Sequence, residues 1–470
     1  MNILNIFVQM RLSFLIVFLI LIFSACRKEE KIITDPSAKL SFSANTILFD
    51  TVFTSIGSTT RRLKVYNPNK NAIRISHIKL SGGTASAYQI NINGQAVNQF
   101  KDLEISGKDS INIFIKVNIN PGSAALPFIV TDSILFSTNG NQQKVQLAAY
   151  GQNATFLDEE IISVNSTWDS SLPYVVYNSA LVNQNITLTI QKGTRIYFHK
   201  DSKLLIAGTL KVLGIHADSV IFSSDRFEQI YRDEPGQWAG LHFLKTSKNN
   251  IIDYASIKNA LIGIRVDSLS ENSNPKLILT NSILKNMEVS GLVLFNADLK
   301  AFNNLIYNCG QFLVYAVLGG NYDLKQNTFA GFNFNFARQT PAIYFSDGYQ
   351  VNNSLLTAPL KVNLINNIIW GSLDNELAFE KKSTQTLNIQ LHSNLIKSKD
   401  PSYNINGNLL NADPHFISAR NDNYQLNKQS PALNKGNDLR GDTYFGNYLF
   451  KDLNGNTRIF PSELGCYEFK

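Results

Sequence analysis

Ala255-Ser256-Ile257-Lys258-Asn259 is echoed by Ser282-Ile283-Leu284-Lys285-Asn286 and again by Asn304-Leu305-Ile306-Tyr307-Asn308. Asn327-Thr328-Phe329-Ala330-Gly331, Asn367-Ile368-Ile369-Trp370-Gly371 and Asn394-Leu395-Ile396-Lys397-Ser398 continue the series. With starts at 255, 282, 304, 327, 367 and 394, the spacings are 27, 22, 23, 40 and 27 residues. A period in the low twenties, with one strand-turn-strand per repeat, is what a solenoid coil requires. No single coil can bury its apolar face, but stacked coils share a continuous core. Ile257, Leu284, Ile306, Phe329, Ile369 and Ile396 then form an aliphatic row inside the stack. Ser282, Asn304, Asn327, Asn367 and Asn394 form a polar ladder at a turn, where Asn tolerates left-handed backbone and its amide bonds to the coils on either side.

Upstream, from about residue 180, ITLTIQKGTRIYF, SKLLIAGTLKVLG and DSVIFSS read as short strands broken by glycine, followed by GQWAGLHF at 236–243. This set resembles a right-handed parallel β-helix, with GQWAGLHF and NNLIYNC as repeats of it. A β-propeller would need repeats of about 40–45 residues with a four-strand signature, which the chain does not show. The last segment carries Asp413-Pro414-His415-Phe416, Tyr424-Gln425-Leu426, Ser430-Pro431-Ala432-Leu433-Asn434-Lys435-Gly436, Asp452-Leu453-Asn454-Gly455-Asn456-Thr457-Arg458 and Leu464-Gly465-Cys466-Tyr467-Glu468, in that order. It resembles the tail that ends many secreted bacterial β-helix proteins, the choice-of-anchor type. An open solenoid end exposes unpaired backbone, so the tail is expected to be a terminal cap.

The other end of the chain speaks to location. Arg11, the apolar run Leu12 to Phe23, then Ser24, Ala25 and Cys26 have the layout of a secretory signal, too short to span a bilayer. The cysteine after the small pair resembles a bacterial lipobox, which implies lipidation at Cys26. Cys26-Arg27-Lys28-Glu29-Glu30 resembles the export tag of surface lipoproteins in the Bacteroidetes. Residues 39–153 show seven short alternating runs between turn signals, the pattern of an antiparallel sandwich. Phe49-Asp50-Thr51-Val52 to Gly57-Ser58-Thr59, then Leu63-Lys64-Val65-Tyr66-Asn67-Pro68, resemble an immunoglobulin-like module of the type found in cilia and spindle proteins and in many bacterial lipoproteins. The resemblance implies a spacer or adhesive unit. The expected organisation is all-β: a signal peptide over 1–25, a lipidated tether over 26–38, the sandwich over 39–153, the β-helix over 154–412 and the capping tail over 413–470.

Composition agrees with a packed β protein. The apolar fraction is 44%, and 30 Phe and 18 Tyr stand against only 3 Met, 3 Trp and 6 His, which suits strand-rich structure. Net charge is +7. Removing the leader takes away only Arg11 and leaves 42 basic against 36 acidic residues, or +6. The basic residues are scattered, which argues against nucleic acid as a partner and allows a weak attraction to acidic polysaccharide. Past Cys26 only Cys309 and Cys466 remain, read as two buried thiols rather than a disulfide framework.

Three stretches carry candidate chemistry. β-Helix enzymes that cleave acidic polysaccharides set a Lys or Arg base beside acidic residues that hold Ca²⁺. The loop with Arg226, Glu228, Arg232 and Asp233 mixes both signs and is the place for such a site; the bland and preferred reading is a solvated loop whose charges pair among themselves. Behind the 40-residue gap, Phe332, Phe334 and Phe336 alternate with Asn333 and Asn335, a pattern that more often marks a buried strand. Arg338, Tyr344 and Tyr349 in the same insertion are the surface candidates for binding a glycan. Asp452, Asn454, Asn456 and Glu463 mimic EF-hand spacing, but Thr457 replaces the required Gly and Pro461 interrupts the helix, so a turn is preferred. No cofactor is expected beyond the option of Ca²⁺. The histidines lack metal spacing, and no phosphate loop, nucleophile elbow or HExxH is present. Five triplets (Asp50-Thr51-Val52, Asp109-Ser110-Ile111, Asp132-Ser133-Ile134, Asp218-Ser219-Val220, Asp267-Ser268-Leu269) resemble the Bacteroidetes O-glycosylation acceptor.

The expectation is therefore a lipid-anchored outer-membrane surface protein whose β-helix binds carbohydrate or acts as an adhesin without catalysis. The alternatives are a lyase or hydrolase acting on an acidic polysaccharide, and a purely structural surface component. A clustered Lys or Arg with acidic partners on one face favours the enzyme; an exposed row of Tyr and Asn without it favours binding.

Overall fold

A computed structural model describes residues 31–470 apart from 55, 56, 59, 121–127, 333 and 336. The leader, Cys26 and Phe336 lie outside the described residues. The chain divides into two compact units, one ending at Asn153 and one beginning at Ala154. Among the described residues no helix is long and apolar enough to cross a membrane.

The first unit is an immunoglobulin-like sandwich of two five-stranded sheets. Alternation decides its core: Leu63 and Val65, Ile90 and Ile92, Ile113 and Ile115, and Val145, Leu147 and Ala149 all point between the sheets. Ile73–Leu80 breaks the alternation because a register shift between Ile75 and His77 lets Ile75 and Ile78 both face inward. The expectation of a wholly antiparallel sandwich needs one correction. Thr46–Phe53 runs parallel to Asn141–Gln152, because the alternating sequence from Leu40 to Phe49 splits into two strands, and Ser41–Phe42 pairs with the other sheet.

The second unit is a parallel β-helix in which 25 strands join one continuous sheet. Its coils have three faces. The first face carries the repeats, among them Ala255–Lys258, Ile283–Met287, Leu305–Cys309, Thr328–Gly331, Ile368–Gly371 and Leu395–Ile396. Ile257, Leu284, Ile306, Phe329, Ile369 and Ile396 are in register from coil to coil and buried. The row extends to Phe222 before it and Leu410 after it. The second and third faces add parallel rows, such as Leu241, Ile264, Leu292, Val314 and Ile343 on the second. The apolar interior thus runs the length of the unit, as a solenoid core must.

Two amide ladders hold the turns. Asn304, Asn327, Asn367 and Asn394 are buried, and each Oδ1 accepts the backbone N–H of the ladder residue one coil earlier: Ser282 at 3.0 Å, Asn304 at 3.0 Å, Asn327 at 2.9 Å and Asn367 at 2.9 Å. Asn408 adds a further rung at 2.8 Å from Asn394. Left-handed backbone does not fall on these residues. It falls one position earlier, at Asn281, Asn303, Gln326, Asn366 and Ser393, so the preceding residue turns the chain and the ladder Asn is buried within it. A second row, Asn259, Asn286 and Asn308, is itself left-handed and linked by amide bonds of 3.2 and 2.5 Å at the turn between the first and second faces.

The tail does not lie across the end of the solenoid. Leu453 and Cys466 pack on Leu305, Tyr307 and Ala330, while Leu426, Ala432 and Leu464 pack on Ile368, Trp370 and Leu395. It runs lengthwise over the first face and then covers Phe302 on the third. The open end is closed by the segment around Tyr403, whose ring meets Phe379 edge-on at 6.2 Å. Cys309 and Cys466 are buried free thiols, each pushed up to about 12 by burial.

Candidate functional site

Outward positions of the second face align into one row. His242 pairs in register with Arg265, then come Val293, Tyr315, Tyr344 and Ala378. Asp267 and Phe295 start the neighbouring row. Because side chains alternate along a strand, every one of these points outward from the coil, with Val293 itself buried.

The polar end of the row is internally paired. His242 Nε2 and Asp267 Oδ2 are 2.7 Å apart, and Arg265 Nε donates to Asp267 Oδ1 at 2.9 Å. Burial alone would raise Asp267, but hydrogen bonds from His242 and Arg265 hold it below the usual carboxylate range. The Arg265 guanidinium lies 5.0 Å from the Phe295 ring, within cation–π reach.

Aromatic rings take over from there. Tyr315 and Tyr344 stack at 5.5 Å with 13° between planes, and Phe312 leans on them at 4.8 and 5.8 Å. Tyr349 meets Phe295 edge-on at 5.1 Å. Tyr349 sits on the short hairpin Gly348–Val351 with Ser354–Thr357. Buried Asp347 anchors it by accepting the backbone N–H of Lys382 at 2.6 Å and of Ser383 at 3.1 Å. The far edge ends on Glu380, which Tyr344 and Lys382 both contact. Those two bonds hold Glu380 below its ordinary value, and burial with Glu380 raises the Tyr344 phenol. Asp267 and Glu380 are therefore both held ionised, the reverse of what a general acid needs. The face offers an aromatic strip between two self-neutralised charge clusters.

The residues singled out in the sequence separate into three groups. Tyr344 and Tyr349 join this strip. Arg338 is corrected: it is 2% exposed, and its Nη2 donates to both Glu376 oxygens at 2.8 Å. An arginine that deep must be paired, and the pair closes the insertion onto the coil. Arg226, Glu228, Arg232 and Asp233 stay together as a loop stitched to the second Asn row. Arg226 pairs with Glu228 at 3.2 Å and stacks 3.8 Å over Tyr231. The Arg232 carbonyl accepts from Asn259 at 2.9 Å, and Asp233 accepts from Asn286 at 3.2 Å. Among the described residues no group of three or more His, Cys, Asp or Glu is placed to hold a metal ion. Asp452 is buried in a turn, accepting the Asn456 N–H at 2.6 Å and the Glu468 N–H at 2.9 Å. The expected Phe strand is also corrected: Phe332 and Phe334 stack at 5.0 Å in an irregular loop, with Phe334 39% exposed. In the five triplets, Thr51, Ser110, Ser133, Ser219 and Ser268 are each partly exposed.

His242, Arg265, Asp267, Phe295, Phe312 and Tyr315 were missed. They come from four coils, and only the alignment of second-face strands at coil spacing would have put them in one row.

No protein-family model matches the chain, and no curated protein matches it. Among solved structures it is similar to the ASH/PapD-like domain 7 of human CEP192, with 11% identity, 28% of this chain and 97% of that chain covered, and a TM-score of 0.18. It is similar to the catalytic unit of a thermostable GH87 α-1,3-glucanase from Streptomyces thermodiastaticus strain HF3-3, with 10% identity, 68% and 75% covered, and a TM-score of 0.23. A family 123 glycoside hydrolase from Clostridium perfringens shares 12% identity over 25% of this chain and 26% of its own, with a TM-score of 0.17.

Proposed function

We propose that this protein binds carbohydrate without cleaving it, through the second face of its β-helix, while held at the outer-membrane surface by lipid on Cys26. The observation that carries the reading is the strip Phe295, Phe312, Tyr315, Tyr344 and Tyr349, bounded by Arg265–Asp267–His242 and Glu380–Lys382. Aromatic surface packs against the C–H faces of sugar rings, and polar edges take the hydroxyls. The strip is bordered by the Lys and Arg with acidic partners expected of an enzyme. Each cation is already paired with its carboxylate, however, and both acids are held below their ordinary values, which supports binding over acid catalysis. A neutral glycan fits such a border better than an acidic one, which would compete with Asp267 and Glu380. Location rests on the resemblance at Cys26 to a lipobox.

A hydrolase reading has its own place. Asp298 on the third face is raised by burial, with Lys300 3.9 Å away and Asp323 close enough to raise it further.

The test takes the chain from residue 27 onward in affinity electrophoresis through neutral and acidic polysaccharides, followed by size chromatography of the polymer. Retardation by a neutral polymer is expected, with little change between low and high salt. Tyr315→Ala and Tyr344→Ala should each weaken it about tenfold, in keeping with a loss of about 1–3 kcal/mol for an aromatic contact. Shortened polymer would replace the binding reading with the hydrolase and direct mutation to Asp298; no retardation by any polymer would leave a structural role.

A further inference from the structure

The tail meets the solenoid over a cavity of about 500 Å³ whose walls include Asp253, Tyr254, Asn281, His216, Tyr448 and Phe450. The cavity lies at the turn between the third and first faces, away from the aromatic strip. Three coils place it. Asn303 Nδ2 donates to Asn281 Oδ1 at 3.1 Å, and Asn281 Nδ2 donates to Asp253 Oδ1 at 2.8 Å. The same Asn303 amide holds the tail by donating to the carbonyls of Tyr448 at 2.6 Å and Lys451 at 2.8 Å. The amide chain thus ends on a carboxylate, which has only acceptors to offer and capacity beyond one amide bond. Burial pushes Asp253 up to about 6, and the Asn281 bond partly opposes this.

We infer that this cavity is a second binding site, for a single neutral hexose-sized polyol. The volume is in the range of small-ligand pockets, which combine apolar walls with a few converging polar groups. Tyr254, Tyr448 and Phe450 supply ring surface, and His216 lies 6.3 Å from Tyr254, edge to face. Asp253 and Asn281, side by side, suit neighbouring hydroxyls of one ring: one accepts, the other can do both. Charge narrows the class. Lys451 lines the same cavity as Asp253, so an ammonium ligand would meet a lysine and an acid ligand a carboxylate, whereas a neutral polyol meets neither penalty.

Saturation-transfer NMR on the chain from residue 27 onward tests this, with glucose, galactose, mannose and N-acetylglucosamine as probes and glucuronate and choline as charged controls. Transfer to at least one neutral sugar is expected. Ala217→Trp, on an exposed wall of the cavity, should weaken it at least tenfold, and Asp253→Asn several-fold. These measurements are made on the Tyr315→Ala, Tyr344→Ala double variant, in which the strip no longer contributes, so the pocket and the strip stand or fall separately. No transfer to any neutral sugar in that background, transfer only to a charged control, or transfer that Ala217→Trp and Asp253→Asn both leave unchanged would each overturn the assignment.

Discussion

At Gly331 and Gly371 the repeat motif ends in glycine where earlier repeats end in asparagine. A Cβ on Gly371 would stand 2.2 Å from Glu376 Oε1, and one on Gly331 2.6 Å from Arg338 Nη2. The two glycines make room for the buried ion pair, which comes from outside the repeats. Glu376 also accepts the N–H groups of Ala342 and Leu373 at 2.9 Å each. Burial raises its carboxyl, and Arg338 draws it back. Removing one member of such a pair leaves a buried charge alone, which costs about 3–5 kcal/mol, whereas replacing both with apolar groups of similar volume is near neutral. Arg338→Ala should therefore lower stability in urea by roughly that amount, and Arg338→Met with Glu376→Leu should recover most of it. Equal losses in the single and double variants would mean that packing, and not charge, holds the site. Nothing in the spacing of the motif announced this: the arginine sits in an insertion and the glutamate in the turn before Leu377–Glu380, where periodicity is silent.

The ladder shows at the scale of the element what a repeat can reveal. Each buried Asn closes two coils at once: Asn327 Nδ2 donates to the Ala301 carbonyl at 2.9 Å while its Oδ1 accepts the Asn304 N–H at 3.0 Å. Asn327→Ala orphans both backbone groups in the interior and should cost about 2–4 kcal/mol, at 1–3 kcal/mol for each unsatisfied group. Hydrogen exchange at Asn304 and at its neighbours in adjacent coils would then quicken ahead of exchange in distant coils; uniform quickening would argue against a local lesion. These positions were legible because they recur with the period. The one-residue error in placing the left-handed turn came from assigning both jobs, turning and bonding, to one asparagine, when the preceding residue turns the chain. The tail departs from the expected end cap, and the repeats themselves hold the reason. Ser256-Ile257-Lys258 alternates, but Leu305-Ile306-Tyr307 and Ile368-Ile369-Trp370 are apolar throughout, the mark of strands covered on both sides. The second-face strip was hidden because its rings come from coils of unequal length.

Across the whole of the second unit the tail works as a strap, and its last residues decide how firmly it is fastened. Arg458 is buried and joins three partners: Glu468 Oε1 at 2.5 Å, Asn303 Oδ1 at 2.8 Å and the Gly465 carbonyl at 3.2 Å. Lys325 makes the other main fastening, between Asp323 at 2.8 Å and Asp442 at 2.5 Å. Burial and the nearby Glu463 push Glu468 up to about 8, with Arg458 opposing them. A carboxyl whose value is higher folded than unfolded binds its proton more tightly in the native state. Its stabilising contribution is complete below the ordinary glutamate value of 4.5 and disappears as pH rises through about 8. Asp253, raised from 3.8 to about 6, acts in the same direction over a lower window. Asp267, Asp347 and Glu380, all lowered, act oppositely, but their contribution is lost only below the ordinary carboxylate range. Between pH 5 and 9 the strap should therefore loosen as pH rises, by on the order of 1–2 kcal/mol once the opposing arginine is allowed for. For a unit of this size that corresponds to a fall in melting temperature of about 1–3 °C. Glu468→Gln, which keeps the shape and cannot ionise, should flatten that slope between pH 6 and 9. A variant with the same slope as the parent would place the pH dependence elsewhere in the chain.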